Sequence, residues 1–555
     1  MKNANIMKYK VLTLLFAFVL PLGLLAQEKQ NNFEIAKSVD IYTSLMRELN
    51  LNYVDEINPG ELNEAAIRAM LKGMDPYTVF IPESEIEDAR FMTTGEYGGV
   101  GALIHYDGEY TIISDPYYGW PAQKAGLLAG DAILSVNGVD AYKKSTSEVS
   151  ELLKGQPGTE VTLKIRRYGV EKPIQITMKR EKVKIDDIPY FTVFDNGVGY
   201  LLLSGFTRDV ANQMKAKLVE MKKKHELKGF ILDLRGNGGG LLNEAVDIVN
   251  IFIPKGKPVV SMRGKAPTAS ALHSTSNLPL DEQIPLAILV DNNSASASEI
   301  VSGAIQDYDR GVIIGQRTFG KGLVQNIFPL SYNTQMKVTV AKYYIPSGRC
   351  IQEIDYSHKK DSTAVKNDSL GKPFKTMGGR TVYEGHGITP DVKVNHDTIS
   401  TVTAYLYGKN IIFDYATKFH SEHSSIDSTT TFQIDDATYD DFMQFVKSKD
   451  FSYTTESELA LAELKKSAKA DGYFEQIKGQ IEALEKTLAE DKANDLVKNR
   501  EEIETFLRAE IVGRYYFQKG RIEVNLQSDP DLERAFEILL NTNGKDEYHT
   551  ILKQQ

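Results

Sequence analysis

The chain opens on an apolar run. Lys8 and Lys10 precede hydrophobic sequence from Val11 to Ala26, and polar sequence starts at Gln27. A basic flank ahead of a short apolar segment is the pattern of an export signal. The run, interrupted by Pro21, is shorter than the ~20 apolar residues that a membrane span needs. Residues 1–26 are therefore expected to be a signal peptide cleaved near Ala26, with an uncleaved anchor as the rival. Apolar positions then recur at helical spacing over 33–50 and 61–72 and stop at Gly73-Met74-Asp75-Pro76, which predicts a helical region over 27–90.

The period changes after residue 90. Short β-type runs (Ala102–His105, Tyr110–Ser114, Ala132–Val136, Val161–Arg166, Ile174–Met178) alternate with glycine-bearing turns, and Ser147–Lys154 reads as a helix. This predicts a compact β-rich module over 91–182. From 183 to 400 strands and helices alternate. The predicted strands are Gly199–Leu203, Gly229–Leu234, Pro285–Val290, Gly311–Ile314 and Met336–Ile345, and the helices Val210–Lys224, Leu241–Phe252 and Ala295–Tyr308. That alternation predicts an α/β core around a mainly parallel sheet. Residues 352–380 are polar and read as a surface insertion. Residues 401–555 read as a charged helical region with a packing, lid or oligomerisation role.

Composition narrows the function. The 555 residues are too many for one core, which makes the chain multidomain. The net charge of −10 argues against a general nucleic-acid binder. A single cysteine, Cys350, rules out an intrachain disulfide and a thiolate metal cluster, and no histidines have metal-ligand spacing. His273 lies in a polar stretch, 271–276, read as a loop.

Three segments of the α/β region carry candidate chemistry. Asp233-Leu234-Arg235-Gly236-Asn237-Gly238-Gly239-Gly240 joins a strand to a helix, where glycines let backbone N–H groups face a cavity. It lacks the Gly-Lys-Ser/Thr ending of a phosphate loop, and alone it also fits a tight turn. Ser294-Ala295-Ser296-Ala297-Ser298-Glu299 follows a buried strand and opens a helix. A hydroxyl there sits beside unpaired N–H groups, though capping alone would explain a serine. Thr318-Phe319-Gly320-Lys321-Gly322-Leu323-Val324-Gln325 follows the next strand. An amine buried among apolar neighbours tends toward its neutral form, which can accept a serine proton; a solvated loop lysine is the alternative.

Together, in this order, the segments resemble the C-terminal processing peptidases, or tail-specific proteases. The likeness runs from about Asn52 to Val392. It includes Gly73-Met74-Asp75-Pro76, Gly95-Glu96-Tyr97-Gly98-Gly99-Val100-Gly101, Tyr344-Ile345-Pro346-Ser347-Gly348-Arg349 and Gly387-Ile388-Thr389-Pro390-Asp391. The resemblance implies a crotonase-like α/β protease core, Ser296 as nucleophile, Lys321 as general base and Gln325 orienting the lysine amine. It implies an oxyanion site from the backbone N–H of Ala297 and of Gly239, with Gly238 the alternative donor. Glu299 and Thr318 match supporting positions. Asp307 does too, but it lies roughly 16 Å along the helix from Ser296 at ~1.5 Å per residue, which suits a role in the fold or a pairing with a neighbouring strand better than a proton relay.

The β-rich module resembles a PDZ domain. Gly99, Val100, Gly101 and Ala102 correspond to its carboxylate-binding loop, and Ala122–Gly138 to its central signature. The expected partners are protein or peptide substrates with free C-termini. No nucleic acid, metal or organic cofactor is expected, membrane proximity is at most transient, and a homo-oligomer or an adaptor stays open. The expected compartment is the periplasm or cell envelope. The rivals are a catalytically silent scaffold that binds tails, a histidine-activated serine, with His273 nearest, and crotonase-like acyl chemistry.

Overall fold

The structure, a computed structural model, describes residues 31–356, 371–396, 398–542, 544 and 546–553. The expected export signal and the centre of the polar insertion lie outside the described residues. The chain divides into two compact units between Phe80 and Ile81. In the first, helices run over residues 31–52 and Pro59–Lys72. The second starts where it should: the Asn58 side chain accepts the N–H groups of Gly60 and Glu61, and Pro59 sits in the first turn, where no N–H is needed.

The second unit is built on a six-stranded sheet in the order Tyr190–Val193, Val198–Leu202, Gly229–Asp233, Leu286–Val290, Val312–Gly315, Val392–Lys393. The first pair is antiparallel and the others parallel. The register aligns Leu201, Leu232, Ile288 and Ile313 in one row, facing helices Val210–Lys224, Leu242–Phe252 and Ala297–Asp307. The alternate residues, Tyr200, Ile231, Ala287 and Val312, form a second row on the opposite face. Burial on both faces explains why these strands are continuous apolar runs rather than alternating ones.

That second face is covered by the end of the chain. Leu532, Ala535 and Ile538 of helix Pro530–Leu540, with Tyr548 and Ile551 of Glu547–Lys553, pack on it. The Tyr548 hydroxyl accepts the N–H of Leu286 at 3.0 Å. These helices complete the three layers of the core, while helices Thr401–Gly408, Ile411–Glu422, Asp436–Ser448 and Arg500–Asn525 gather around a core of their own that includes Leu406, Tyr415, Phe442 and Leu507.

Two expectations are corrected. Residues 271–276, read as a loop, contain the strand Ala271–Ser274, with His273 opposite Val260. It is a sheet edge, held by ladder hydrogen bonds to Pro258–Gly264 rather than by apolar alternation, so its sequence carries no strand pattern. The insertion expected over 352–380 is also not surface throughout. Pro373–Lys375 pairs with Thr381–Tyr383, and the buried Arg380 donates to Asp309, Asp391 and the Gln306 carbonyl. A short strand, Leu323–Pro329, absent from the sequence reading, forms a hairpin with Gln335–Tyr344.

The β-rich module has five main strands, Ala102–Tyr106, Thr111–Pro116, Ala132–Val136, Glu160–Arg166 and Ile174–Lys179, with helix Thr146–Leu153 beside them. Ser145 and Glu148 cap that helix reciprocally.

If the last helices are a core layer, Ile538→Ala should destabilise the α/β unit by about 2–5 kcal/mol, the range for emptying a fully buried aliphatic site. Denaturant unfolding checks this; a loss well under about 1 kcal/mol would mean that the helices are peripheral.

Candidate active site

Three loops leave the carboxyl ends of three adjacent parallel strands. Residues 234–241 follow Gly229–Asp233, 291–296 follow Leu286–Val290, and 316–322 follow Val312–Gly315. The carboxyl edge of a parallel sheet is where such folds form their sites, and the three loops are the three segments singled out in the sequence.

The first two loops are joined by Asn237, which is fully buried. Its amide donates to the Leu203 carbonyl at 2.7 Å, and its Oδ1 accepts the N–H of Gly239 at 2.9 Å. Its carbonyl accepts the N–H of Ala295 at 3.0 Å and the Ser298 hydroxyl at 2.9 Å. Gly239, at φ 98°, must be glycine: a Cβ would fall 2.9 Å from the Ser296 Cβ and 2.7 Å from the Ala295 carbonyl. Asp291 adds a second tie through the N–H groups of Gly236 and Ser294, both at 2.9 Å.

Ser296 stands at the start of helix Ala297–Asp307 with φ 57° and ψ −110°. A non-glycine residue in that region costs on the order of 1–3 kcal/mol, and such strain gathers where a reactive group must be presented. The strain is held by Glu299, whose side chain is fully buried. Its Oε2 accepts the N–H of Ser296 at 2.8 Å and that of Lys321 at 2.9 Å. Its Oε1 accepts the Thr318 hydroxyl at 2.6 Å and the N–H of Gly320 at 2.7 Å. Two amides on one oxygen put the backbones of Ser296 and Lys321 within about 6 Å of each other. Tyr343 closes the other side, its hydroxyl lying 3.1 Å from the Ser296 carbonyl and 2.7 Å from that of Lys321.

Electrostatics sharpen the role of Glu299. Burial pushes its pKa up, and the hydrogen bonds from Thr318 and the N–H groups of Lys321, Ser296 and Gly320 oppose the rise. Four donors converge on two oxygens, an arrangement that only an acceptor can satisfy at every point. Thr318 extends the network by accepting the N–H of Ile388 at 2.7 Å.

The other expected residues fall in different places. Ala297 is the first residue of the helix, where its N–H has no carbonyl one turn back. The N–H of Gly239, the expected second donor, is spent on Asn237, whereas Gly238 is exposed on the same turn. Gln325 lies beyond a bulge at Val324/Gln325 and donates to Thr339 across the hairpin at 3.3 Å. Asp307, at the far end of the helix, pairs with the buried Arg349 at 3.0 Å and accepts the N–H of Ser347 at 2.8 Å, a structural tie to the segment after a neighbouring strand. Burial raises the pKa of Asp307 and lowers that of Arg349. Burial also pushes the Cys350 thiol up, away from a reactive thiolate.

The groove of the β-rich module is a cavity of about 270 Å³ between the loop at Val100–Ala102 and helix Thr146–Leu153. Val100, Ile104 and Leu153 give it an apolar floor, and Tyr97 lines it beside Phe91. The sequence reading missed Tyr343 and Asn237. Tyr343 adjoins a quoted motif and is almost wholly buried, and a buried phenol needs a polar partner.

The chain is similar to known proteins along much of its length. A profile of Peptidase family S41 matches residues 197–359, a PDZ domain profile residues 112–167, and a profile described as "Probable PDZ-protease, C-terminal helical domain" residues 402–539. A carboxy-terminal-processing protease of Bartonella bacilliformis is 35% identical over 340 residues, 60% of this chain and 77% of its own. The chain belongs to the carboxy-terminal-processing proteases of peptidase family S41. A second relative, named a "Probable CtpA-like serine protease" of Staphylococcus aureus, is 34% identical over 55% of this chain and 60% of its own. Among solved structures, a photosystem II D1 C-terminal processing protease is 29% identical, covering 63% of this chain and 86% of its own, with a TM-score of 0.36. As an S41 protease the chain is a serine-type peptidase with a PDZ domain and a helical C-terminal region.

Glu299→Gln tests the clamp. The amide keeps the shape but turns a donor toward two of four donors, so stability should fall by about 1–3 kcal/mol and peptidase activity by at least about tenfold. Unfolding curves and steady-state kinetics check it; wild-type values of both would mean that the carboxylate is dispensable.

Proposed function

We propose that Ser296 is the nucleophile and Lys321 the general base of peptide-bond hydrolysis in proteins recognised by their C-terminal tails. The observation that carries this reading is the shared Glu299 oxygen, which anchors both backbones at the mouth of the parallel sheet. A tail-binding scaffold without chemistry would need neither this buried clamp nor a strained serine.

The tail docks in the groove at Gly99, Val100, Gly101 and Ala102, and its carboxylate takes backbone N–H groups of that loop. The neutral Lys321 amine accepts the Ser296 hydroxyl proton as the oxygen attacks the scissile carbonyl. The carbonyl π electrons move to oxygen, and the negative charge is met by the N–H groups of Ala297 and Gly238. This assigns the second donor to Gly238, because Gly239 already serves Asn237. One such donor is worth about 2.7–4 kcal/mol of barrier. Collapse of the intermediate breaks the C–N bond, and the lysine returns its proton to the leaving amine. Water, deprotonated by the Lys321 amine, then attacks the acyl carbonyl; the ester C–O bond to Ser296 breaks, and the lysine returns the proton to the serine oxygen. His273 is held in the edge strand Ala271–Ser274 opposite Val260, outside the three loops at the carboxyl ends of the parallel strands. The apolar run Val11–Ala26 supports export, with cleavage near Ala26 and work in the periplasm or cell envelope.

Ser296→Ala and Lys321→Ala should each lower cleavage of a tail-bearing unfolded substrate by at least about 10³-fold while tail-peptide binding is retained. Lys321→Arg should not rescue, since a guanidinium stays protonated. A base must be unprotonated, so kcat/KM should rise from mildly acidic to alkaline pH. Activity surviving in either alanine variant, or a flat pH profile, would reject the dyad.

A further inference from the structure

Arg235 opens the glycine turn, two residues ahead of Asn237, and its side chain reaches the far end of the chain. Its guanidinium donates to Asp233 through Nε at 3.0 Å and Nη2 at 2.6 Å. Two parallel bonds, Nη1 at 2.9 Å and Nη2 at 2.6 Å, run to the carboxylate of Asp529, and Nη1 also reaches Asp531 at 2.9 Å. Asp531 is 1% exposed, and its other oxygen meets His396 Nε2 at 3.1 Å. The Tyr200 hydroxyl donates to Asp233 at 2.7 Å.

Asp529 is also the cap of helix Pro530–Leu540, accepting the N–H groups of Asp531 and Leu532. That helix is a layer of the core, so the aspartates are fixed with respect to the sheet. Three carboxylates around one guanidinium exceed its charge, and apolar packing would give stability more simply. What the fork supplies is direction: bidentate pairing sets where the Arg235 head can lie. Arg235 is joined through one residue to Asn237, whose side chain and carbonyl set both the glycine turn and the approach to Ser296.

We propose that Asp529 and Asp531 are positioning residues for the oxyanion turn. Acting through Arg235, they hold the Gly238 N–H against the developing charge, so the last helices of the chain take part in turnover. The inference rests on the Ser296–Lys321 reading.

The test uses the full chain with Asp529→Asn and Asp531→Asn. Asparagine caps a helix as well as aspartate does, so Asp529→Asn removes the charge and spares the cap. Glu537→Gln, on the same helix but paired with Arg534, is the control. Three quantities are measured on protein shown to be folded by circular dichroism: kcat and KM on a tail-bearing substrate, affinity for a free tail peptide, and inhibition by a peptide aldehyde, whose serine adduct places an oxyanion on the turn. The aspartate variants should lower kcat by at least about tenfold, less than the 10²–10³-fold loss of an entire donor. They should weaken the aldehyde by a similar factor and leave KM and tail affinity within twofold. Glu537→Gln should change nothing. Wild-type kcat and aldehyde affinity in the folded aspartate variants would overturn the proposal, as would an equal loss in Glu537→Gln. Should Asp531→Asn fail to fold, Asp529→Asn, at the more exposed rim, decides alone. Ser296→Ala, run in parallel, separates the two readings: residual cleavage there rejects the dyad, whereas an inactive Ser296→Ala beside unaffected aspartate variants rejects only the positioning role.

Discussion

The site depends on one buried carboxylate. Glu299 has no exposed surface, yet it accepts hydrogen bonds from Ser296, Thr318, Gly320 and Lys321, so it gathers two loops from different strands at one point. Burying a carboxylate is costly unless its lone pairs are filled, and here backbone N–H groups fill most of them. The interaction therefore works in both directions. The loops make the charge tolerable, and the charge keeps the loops from separating. A serine with positive φ can persist only where the surroundings determine it from several sides, and Asn237, Glu299 and Tyr343 do so.

The same economy appears farther out. The glycine turn is tied to the segment around Ser296 through Asn237 and to the end of the chain through Arg235. The carboxyl-terminal helices cover the face of the sheet that helix Ala297–Asp307 leaves open. Sheet, turn and final helices form one rigid support, while the tail-binding groove lies on a separate module with its own core.

Much of this was legible in the sequence because the parallel strands are buried on both faces and read as unbroken apolar runs. The three chemical segments could be located because glycine, serine and lysine sat directly after such runs. The contacts of Tyr343, Asn237 and Asp529 were not legible. Most of their partners lie far away in sequence, and a tyrosine or an aspartate at such a position looks ordinary until the chain folds. The edge strand Ala271–Ser274 was missed for a related reason, since pairing with a neighbour and not side-chain alternation defines it. What the sequence also hides is that the asparagine two residues before Gly239 takes the Gly239 N–H on its side-chain oxygen.

Amide hydrogen exchange gives the most direct test of the central claim. The account predicts that peptides containing Ser296 and Lys321 are both strongly protected in the wild-type protein and lose protection together when Glu299 is replaced by glutamine. If one segment loosened while the other kept its wild-type exchange rate, the two loops would be held independently and the shared-carboxylate account would be contradicted.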